Sequence, residues 1–425
     1  MSKNKRSYKK LEAYSSLPSQ NSKKIRSTPS IHAPTCDDST CTGCDVSEIE
    51  IVFTTEDGQG EIELSPDKLL QLALEESSKE SPQEHGNGVA KRLFDMALEK
   101  FDNLLEKEEK EMETKEETVK GKEIETRPKV VTKQTRYQYA TCCVAFGIYL
   151  PSIEQIRKGI EIFKQIIVED DCYYDAWIGL GRARISLAKV ERETTQQSDS
   201  SEEEEEEKEE QESSIRTEQN SYNLAIDALD KGLSILRSKD EDKYMSESIL
   251  VAKDLKEYAL SINHSKFTNY TQKILNQAIN YFQNCYELDS KKKLDQNNFA
   301  QGIWGGCLYY LAKLKTNQDG NDYERESKLL LNSAIEKLSK AYNDSLEKDR
   351  FTEILGQAYI LKTTIESDEE QIMEAYDKGL ECLKEAYEFF PDNENLREQL
   401  VTLGAFNSSD ENEDLEEEEE EEEED

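Results

Sequence analysis

The stretch "DAWIGLGRARISLAK", Asp175–Lys189, places Trp177, Leu180, Arg184 and Leu187 three and four residues apart, on one stripe of a helix. Gly181 sits in the middle of that stripe. A glycine in a helix interior costs about 1 kcal/mol relative to alanine. Another helix must therefore come so close to Gly181 that no side chain fits between them. The partner of this contact decides the fold.

A two-helix unit of about 34 residues answers the question. Such a unit carries large residues at positions 4, 7 and 11, a small one at 8, small or apolar ones at 20, 24 and 27, and often proline at 32. With Trp177 at position 4, Leu180 falls at 7, Gly181 at 8 and Arg184 at 11. Counting back, Gly159, Phe163, Ile166 and Asp171 take 20, 24, 27 and 32 of the preceding unit. A second run is as regular: Ala334, Leu338, Ala341 and Leu346 at 20 to 32, then Thr352, Leu355, Gly356 and Tyr359 at 4, 7, 8 and 11. Gly379, Leu383, Ala386 and Pro391 form a further second helix. Looser copies are centred on Ala278, Phe282 and Cys285, on Ala225, Leu229 and Gly232, and on Ala97, Phe101 and Leu104.

Over residues 90–405 these registers resemble the tetratricopeptide family. The resemblance implies that small residues at 8 and 20 let helices A and B of each unit cross closely. Gly159, Trp177, Leu180, Gly181, Ala334, Leu355, Gly356 and Gly379 are the expected packing residues. Arg184 replaces the usual aromatic and insertions separate the units. The predicted fold is all-α: an irregular tetratricopeptide-like helical solenoid over 66–405 with a disordered acidic insert and tails. The one strand signal is "EIEIVFTTEDGQGEIEL", 48–64, whose alternation about Asp57-Gly58 predicts a small β-hairpin.

The rest of the chain reads as solvated. It has 425 residues, a formal charge of −38 and 35% hydrophobic residues, so much of it cannot bury a core. Residues 106–133 form a charged insert, 191–214 an acidic insert, and 406–425 an acidic tail in which fourteen of the last sixteen residues are acidic. Such a chain repels nucleic acid over most of its surface and favours basic partners. Ser200 and Ser201 each have Glu three residues on, a context that suits acid-directed kinases. No apolar run reaches the roughly 20 residues needed to span a bilayer, and no apolar signal core begins the chain. The nine cysteines then belong to a reducing compartment, most as free thiols in helices.

Residues 1–47 read as a disordered basic arm, with eight Lys/Arg in the first 26 residues against Glu12 alone. Lys9 and Lys10, then Lys23, Lys24 and Arg26, stand twelve residues apart, a spacing suited to a bipartite nuclear import signal. His32, Cys36, Cys41 and Cys44 have the donor set of a Cys₃His zinc site, but only one C-x-x-C is present and no metal is expected. Neither "GLGRAR" nor "GIWGG" follows a strand, so neither is a phosphate loop. The three histidines lie in unrelated contexts, and no nucleophile motif accompanies them. No catalytic activity and no cofactor are expected.

Solenoids bind peptides along their inner face. In the tetratricopeptide family helix A positions 2, 5, 9, 12 and 13 make that face. They include Asp175, Ile178 and Arg182 in one unit, and Arg350, Glu353 and Gln357 in another. Ile178 and Arg182 depart from the Lys/Asn clamp of chaperone-binding members. Taken together, a basic import arm, irregular repeats and charged inserts resemble the fungal enhancer of translation termination family. That resemblance implies a nuclear regulator linked to translation termination and to an oxoglutarate-dependent prolyl hydroxylase that governs hypoxic gene expression. Its expected partners are that hydroxylase or a ribosome-associated factor, with no membrane and no nucleic acid beyond the basic arm. An acidic tetratricopeptide histone chaperone, which would bind histones, is the alternative of another class.

Overall fold

The structure is a computed structural model that describes residues 25–26, 52–53, 63–79, 88–118, 132–198, 207–262, 264–289, 293–318, 321–344 and 348–406. Fourteen helices run through the described residues, and the fold is an all-α, tetratricopeptide-like helical solenoid. The chain divides into two compact units, residues 1–235 and 236–425.

In the first unit α1 (Pro66–Ser77) pairs with α2 (Val89–Thr118), α3 (Lys133–Tyr149) with α4 (Ile153–Glu169), and α5 (Tyr174–Ser198) with α6 (Glu207–Arg237). Each pairing follows from an amphipathic stripe. Leu69, Leu70 and Ala73 of α1 and Leu93, Phe94, Ala97 and Phe101 of α2 close on Phe146 and Tyr149 of α3. The Phe94 ring lies 5.6 Å from Phe146 and 5.7 Å from Tyr149, within the range of favourable aromatic pairs. A second core joins Ile156, Phe163 and Ile166 of α4 to Ala176, Leu180 and Ala183 of α5. Thr132 and Ser152 start α3 and α4 as side-chain caps.

A Cβ on Gly181 would press into Leu229 of α6 and stand 2.8 Å from the Ala225 carbonyl oxygen. Gly232 returns the contact: a Cβ there would meet Trp177 Cβ at 2.9 Å and Ile178 Cγ1 at 2.8 Å. The partner of Gly181 is thus the loose copy Ala225–Leu229–Gly232, on the far side of the acidic insert.

Two expectations need correcting here. Helix α2 runs on to Thr118, α5 to Ser198, and α6 already begins at Glu207, so both charged inserts are helical at their edges. Arg192 and Glu218 form a largely buried ion pair across the α5–α6 gap, which ties those edges together. Residues 119–131 and 199–206, with Ser200 and Ser201, lie outside the described residues. The predicted hairpin also changes partner: Val52–Phe53 (β2) pairs antiparallel with Ile25–Arg26 (β1), Phe53 opposite Ile25. Leu64, expected to end the second strand, is not in a strand and is buried against the α1–α2 core. Ile49, Ile51 and Ile62 lie outside the described residues.

The second unit holds α7 (Glu241–Ser261), α8 (His264–Leu288), α9 (Lys293–Gln296), α10 (Asn298–Thr316), α11 (Asn321–Tyr342), α12 (Lys348–Ile365), α13 (Glu369–Phe389) and α14 (Glu394–Thr402). Asp240, Asn297, Asp368 and Asn393 cap α7, α10, α13 and α14 through their side chains. The position-8 contact recurs in two hairpins. Gly305 of α10 stands against Leu338 and the Ala334 carbonyl of α11, with a Cβ there at 2.7 and 3.1 Å. Gly356 of α12 stands against Leu383 and the Gly379 carbonyl of α13, at 2.8 and 3.1 Å. Leu355 and Ala334 are buried beside them. Trp304 stacks flat on Phe282 at 5.4 Å, with the Lys337 ammonium 3.6 Å from its ring centre. Leu383, Ala386, Leu396 and Leu400 close the last hairpin under α14.

Candidate functional site

The repeated glycine contact numbers the helices of the second unit without reference to any loop. With Gly305 at position 8, the inner-face positions 2, 5, 9, 12 and 13 of α10 fall on Phe299, Gly302, Gly306, Tyr309 and Tyr310. With Gly356 at position 8, those of α12 include Arg350, Glu353 and Gln357. Side-chain contacts join the two rows. The Arg350 guanidinium lies 5.7 Å from the Phe299 ring centre. Tyr309 donates its hydroxyl to Gln357 Oε1 at 3.3 Å. The Gln357 amide in turn donates to Glu353 at 2.9 Å and to Gln399 of α14 at 3.4 Å. On the other side, Lys256 of α7 runs over Gly306: its Cδ and Nζ lie 3.5 and 3.8 Å from where a Cβ on that glycine would stand.

The electrostatics of this face follow from burial. Glu353 is raised above the usual carboxylate range by desolvation. Burial, with the Glu353 charge nearby, raises Tyr309 and pushes Tyr310 up to about 12. Burial lowers Lys256 and pushes the neighbouring Cys307 thiol up to about 12. All these phenols and thiols are therefore neutral at pH 7. The face offers hydrogen bonds, aromatic area and one buried ammonium, a combination suited to recognition.

The expected groove residues separate into two groups. Arg350 is exposed, and Glu353 and Gln357 are half-buried on the face just described. In the first unit Asp175 and Arg182 are half-buried. Ile178 is only 4% exposed and packs on Gly232, so it offers nothing to a ligand. The physical reason is the missing side chain at Gly232, which leaves a hole that Ile178 fills. Lys9, Lys10, Lys23 and Lys24 lie outside the described residues, as do His32, Cys36, Cys41 and Cys44; Arg26 belongs to β1. The six described cysteines are free, and Cys172 alone among them is exposed. Asp170, Asp171 and Cys172 bring their donor atoms within 4.8 Å on a surface turn, where Asp170 is paired with Lys133 at 2.8 Å. Among the described residues no helix is long and apolar enough to cross a membrane.

Comparison with known proteins gives likenesses of build. A family model described as the plant-specific mitochondrial import receptor subunit TOM20 matches residues 274–406, less than a third of the chain. No curated protein sequence matches. Three solved structures of S. pombe Nro1, described as a nuclear import adaptor and as a hypoxic regulator of sterol synthesis, are similar at 13–14% identity. They cover 76%, 78% and 80% of this chain and 93%, 92% and 98% of theirs, with TM-scores of 0.41, 0.43 and 0.44. A circular tandem repeat protein is similar at 13% identity, over 80% of this chain and 74% of its own, with a TM-score of 0.36. At these identities and scores the likeness assigns no role.

Proposed function

We propose that this chain is a non-enzymatic nuclear adaptor that holds a segment of another protein along the α7–α10–α12 face of its second unit. The observation that carries the reading is the row of polar and aromatic side chains on successive A helices: Arg350 over Phe299, and Tyr309, Gln357, Glu353 and Gln399 in one hydrogen-bonded chain. Tyr309 is buried beneath the row, while Glu353, Gln357 and Gln399 are half-buried; half-buried polar groups set among aromatic rings suit a peptide backbone and its side chains. The nuclear part rests on the basic arm, with Lys9, Lys10, Lys23 and Lys24 in two clusters. The narrower role, in translation termination and in control of a prolyl hydroxylase, rests on the resemblance of sequence architecture.

A histone chaperone is the second reading, favoured by the acidic run set between the helices that carry Gly181 and Gly232. One experiment separates the two. Arg350→Glu with Gln357→Lys alters the face and leaves the acidic runs intact. Deletion of 199–206 together with 410–425 removes acid and leaves the Arg192–Glu218 closure in place. Binding of the main co-purifying protein is measured for both variants at two salt concentrations. The adaptor reading expects the face variant to lose binding and the deletion to keep it. Loss in the deletion alone, shrinking as salt rises, favours the chaperone.

A further inference from the structure

Lys256 is a buried lysine without a partner. It is 8% exposed, and among the described residues it makes no ion pair or hydrogen bond. A buried charge is ordinarily paired or bound to something. It lies over the Gly306 backbone, near the Cys307 thiol; the Glu257 charge offsets its burial in part and the Lys253 charge adds to it, and neither is in hydrogen-bonding contact with the ammonium. Its ammonium is not among the buried polar atoms that are sealed from solvent without a partner.

Gly306 adds an independent observation. Gly302 and Gly305 on the same helix are demanded by packing, since a Cβ on either would overlap Phe351 or Leu338. Gly306 is not: the nearest atom to its absent Cβ is Lys256 Cδ, at an ordinary contact distance of 3.5 Å. A helix-interior glycine that no packing requires is a standing cost. What the bare backbone does is give the Lys256 stem a berth, which keeps the ammonium down on the face. A longer side chain at 306 would lift it into water.

We propose that Lys256, held over Gly306, is the seat for an aspartate or glutamate side chain of the segment bound along this face. The inference rests on the reading of that face as a peptide site and names its specificity. A single ammonium is a point charge with three donors, matched to one carboxylate. A phosphate group, with its larger charge, is better served by the forked guanidinium of arginine. The bound carboxylate restores the interactions the ammonium lost on burial. Gln357, which accepts from Tyr309 and donates to Glu353 and Gln399, holds the neighbouring part of the face in place.

The test uses the full chain, a synthetic library of 12-residue peptides with amidated C-termini, and a peptide of this chain's own residues 410–425. Binders are remeasured by fluorescence polarisation, each beside its Glu→Gln or Asp→Asn counterpart. We expect an acidic residue in the selected peptides, whose amide counterpart binds wild type about tenfold or more weakly. Against Lys256→Met the two forms should differ less than about twofold, and Lys256→Arg should recover most of the preference. Peptides that bind, that are lost with Arg350→Glu, and that show no acid preference overturn the seat while leaving the face. A preference that survives unchanged in Lys256→Met overturns it too. So does binding confined to the peptide of this chain's own residues 410–425. If no peptide binds, the seat and the face fall together.

Discussion

Gly305 and Gly306 are adjacent on α10, and replacing each with alanine in turn isolates the packing term from everything else. Both are helix-interior positions of one unit, so the helix-propensity gain is common to both, about 1 kcal/mol in favour of alanine. The surroundings differ. At 305 the new methyl would stand 2.7 Å from Leu338 Cγ, 3.0 Å from the Leu338 nitrogen and 3.1 Å from the Ala334 carbonyl oxygen. Two of these are backbone atoms of α11, so the helices themselves must separate. Overpacking of this kind costs about 1–3 kcal/mol. At 306 the nearest atoms to the methyl would be Lys256 Cδ at 3.5 Å, Lys256 Nζ at 3.8 Å and Ile354 Cδ1 at 3.9 Å, all on movable side chains. Gly306→Ala should therefore gain about 1 kcal/mol, while Gly305→Ala lands between no change and a loss of about 2 kcal/mol. The assay is urea unfolding followed by far-UV circular dichroism, with the transition of the second unit fitted separately. Equal changes at both positions would refute the helix-crossing role of position 8.

Other outcomes follow from the same geometry. Gly181→Leu should destabilise the first unit well beyond Lys189→Leu, whose side chain is 41% exposed, as read from the same urea curves. Lys256→Met should raise the stability of the second unit by no more than about 1 kcal/mol, since the stem is buried while the ammonium still reaches solvent; a clear loss of stability would mean that the ammonium has a partner. Glu353 keeps its proton to higher pH in the folded than in the unfolded chain, so its contribution to stability falls as pH rises above the ordinary carboxylate value and stays low at pH 7. Glu353→Gln should thus be more stable than wild type at pH 7, and the gap should close below about pH 4. Alanine at Lys9, Lys10, Lys23 and Lys24 should move a fluorescent fusion out of the nucleus; an unchanged nuclear signal removes the import reading of the arm.

The helical repeat was legible because its signal is local. Small residues at positions 8 and 20 mark where backbones approach, and Gly181, Gly356 and Gly379 carry that mark in plain text. The hairpin was misread because alternation shows that Phe53 is in a strand but not which strand pairs with it; Ile25 does. The binding face was only half visible. Numbering forward from Ala278 and Cys285 runs into the short helix α9, and this insertion throws off the register just before α10. As a phosphate loop "GIWGG" is excluded by its helical setting; as part of a repeat, its Gly305 opposite Ala334 restores the register and brings out Phe299, Tyr309 and Tyr310. Ile178 was misplaced for the converse reason, since position 5 faces a ligand only when no hole such as Gly232 lies beneath it. The burial of Lys256 depends on a glycine fifty positions away on another helix, and no pattern within α7 encodes it.

The central claim is that the α7–α10–α12 face carries the partner, and photo-crosslinking from that face tests it directly. A photoreactive benzoylphenylalanine is placed at Tyr310, on the face, and separately at Met373, which is 68% exposed on α13. Each variant is irradiated with the main co-purifying protein. The account predicts a crosslinked species from position 310 and none above background from 373. Crosslinking from 373 alone, or equally from both, would contradict it.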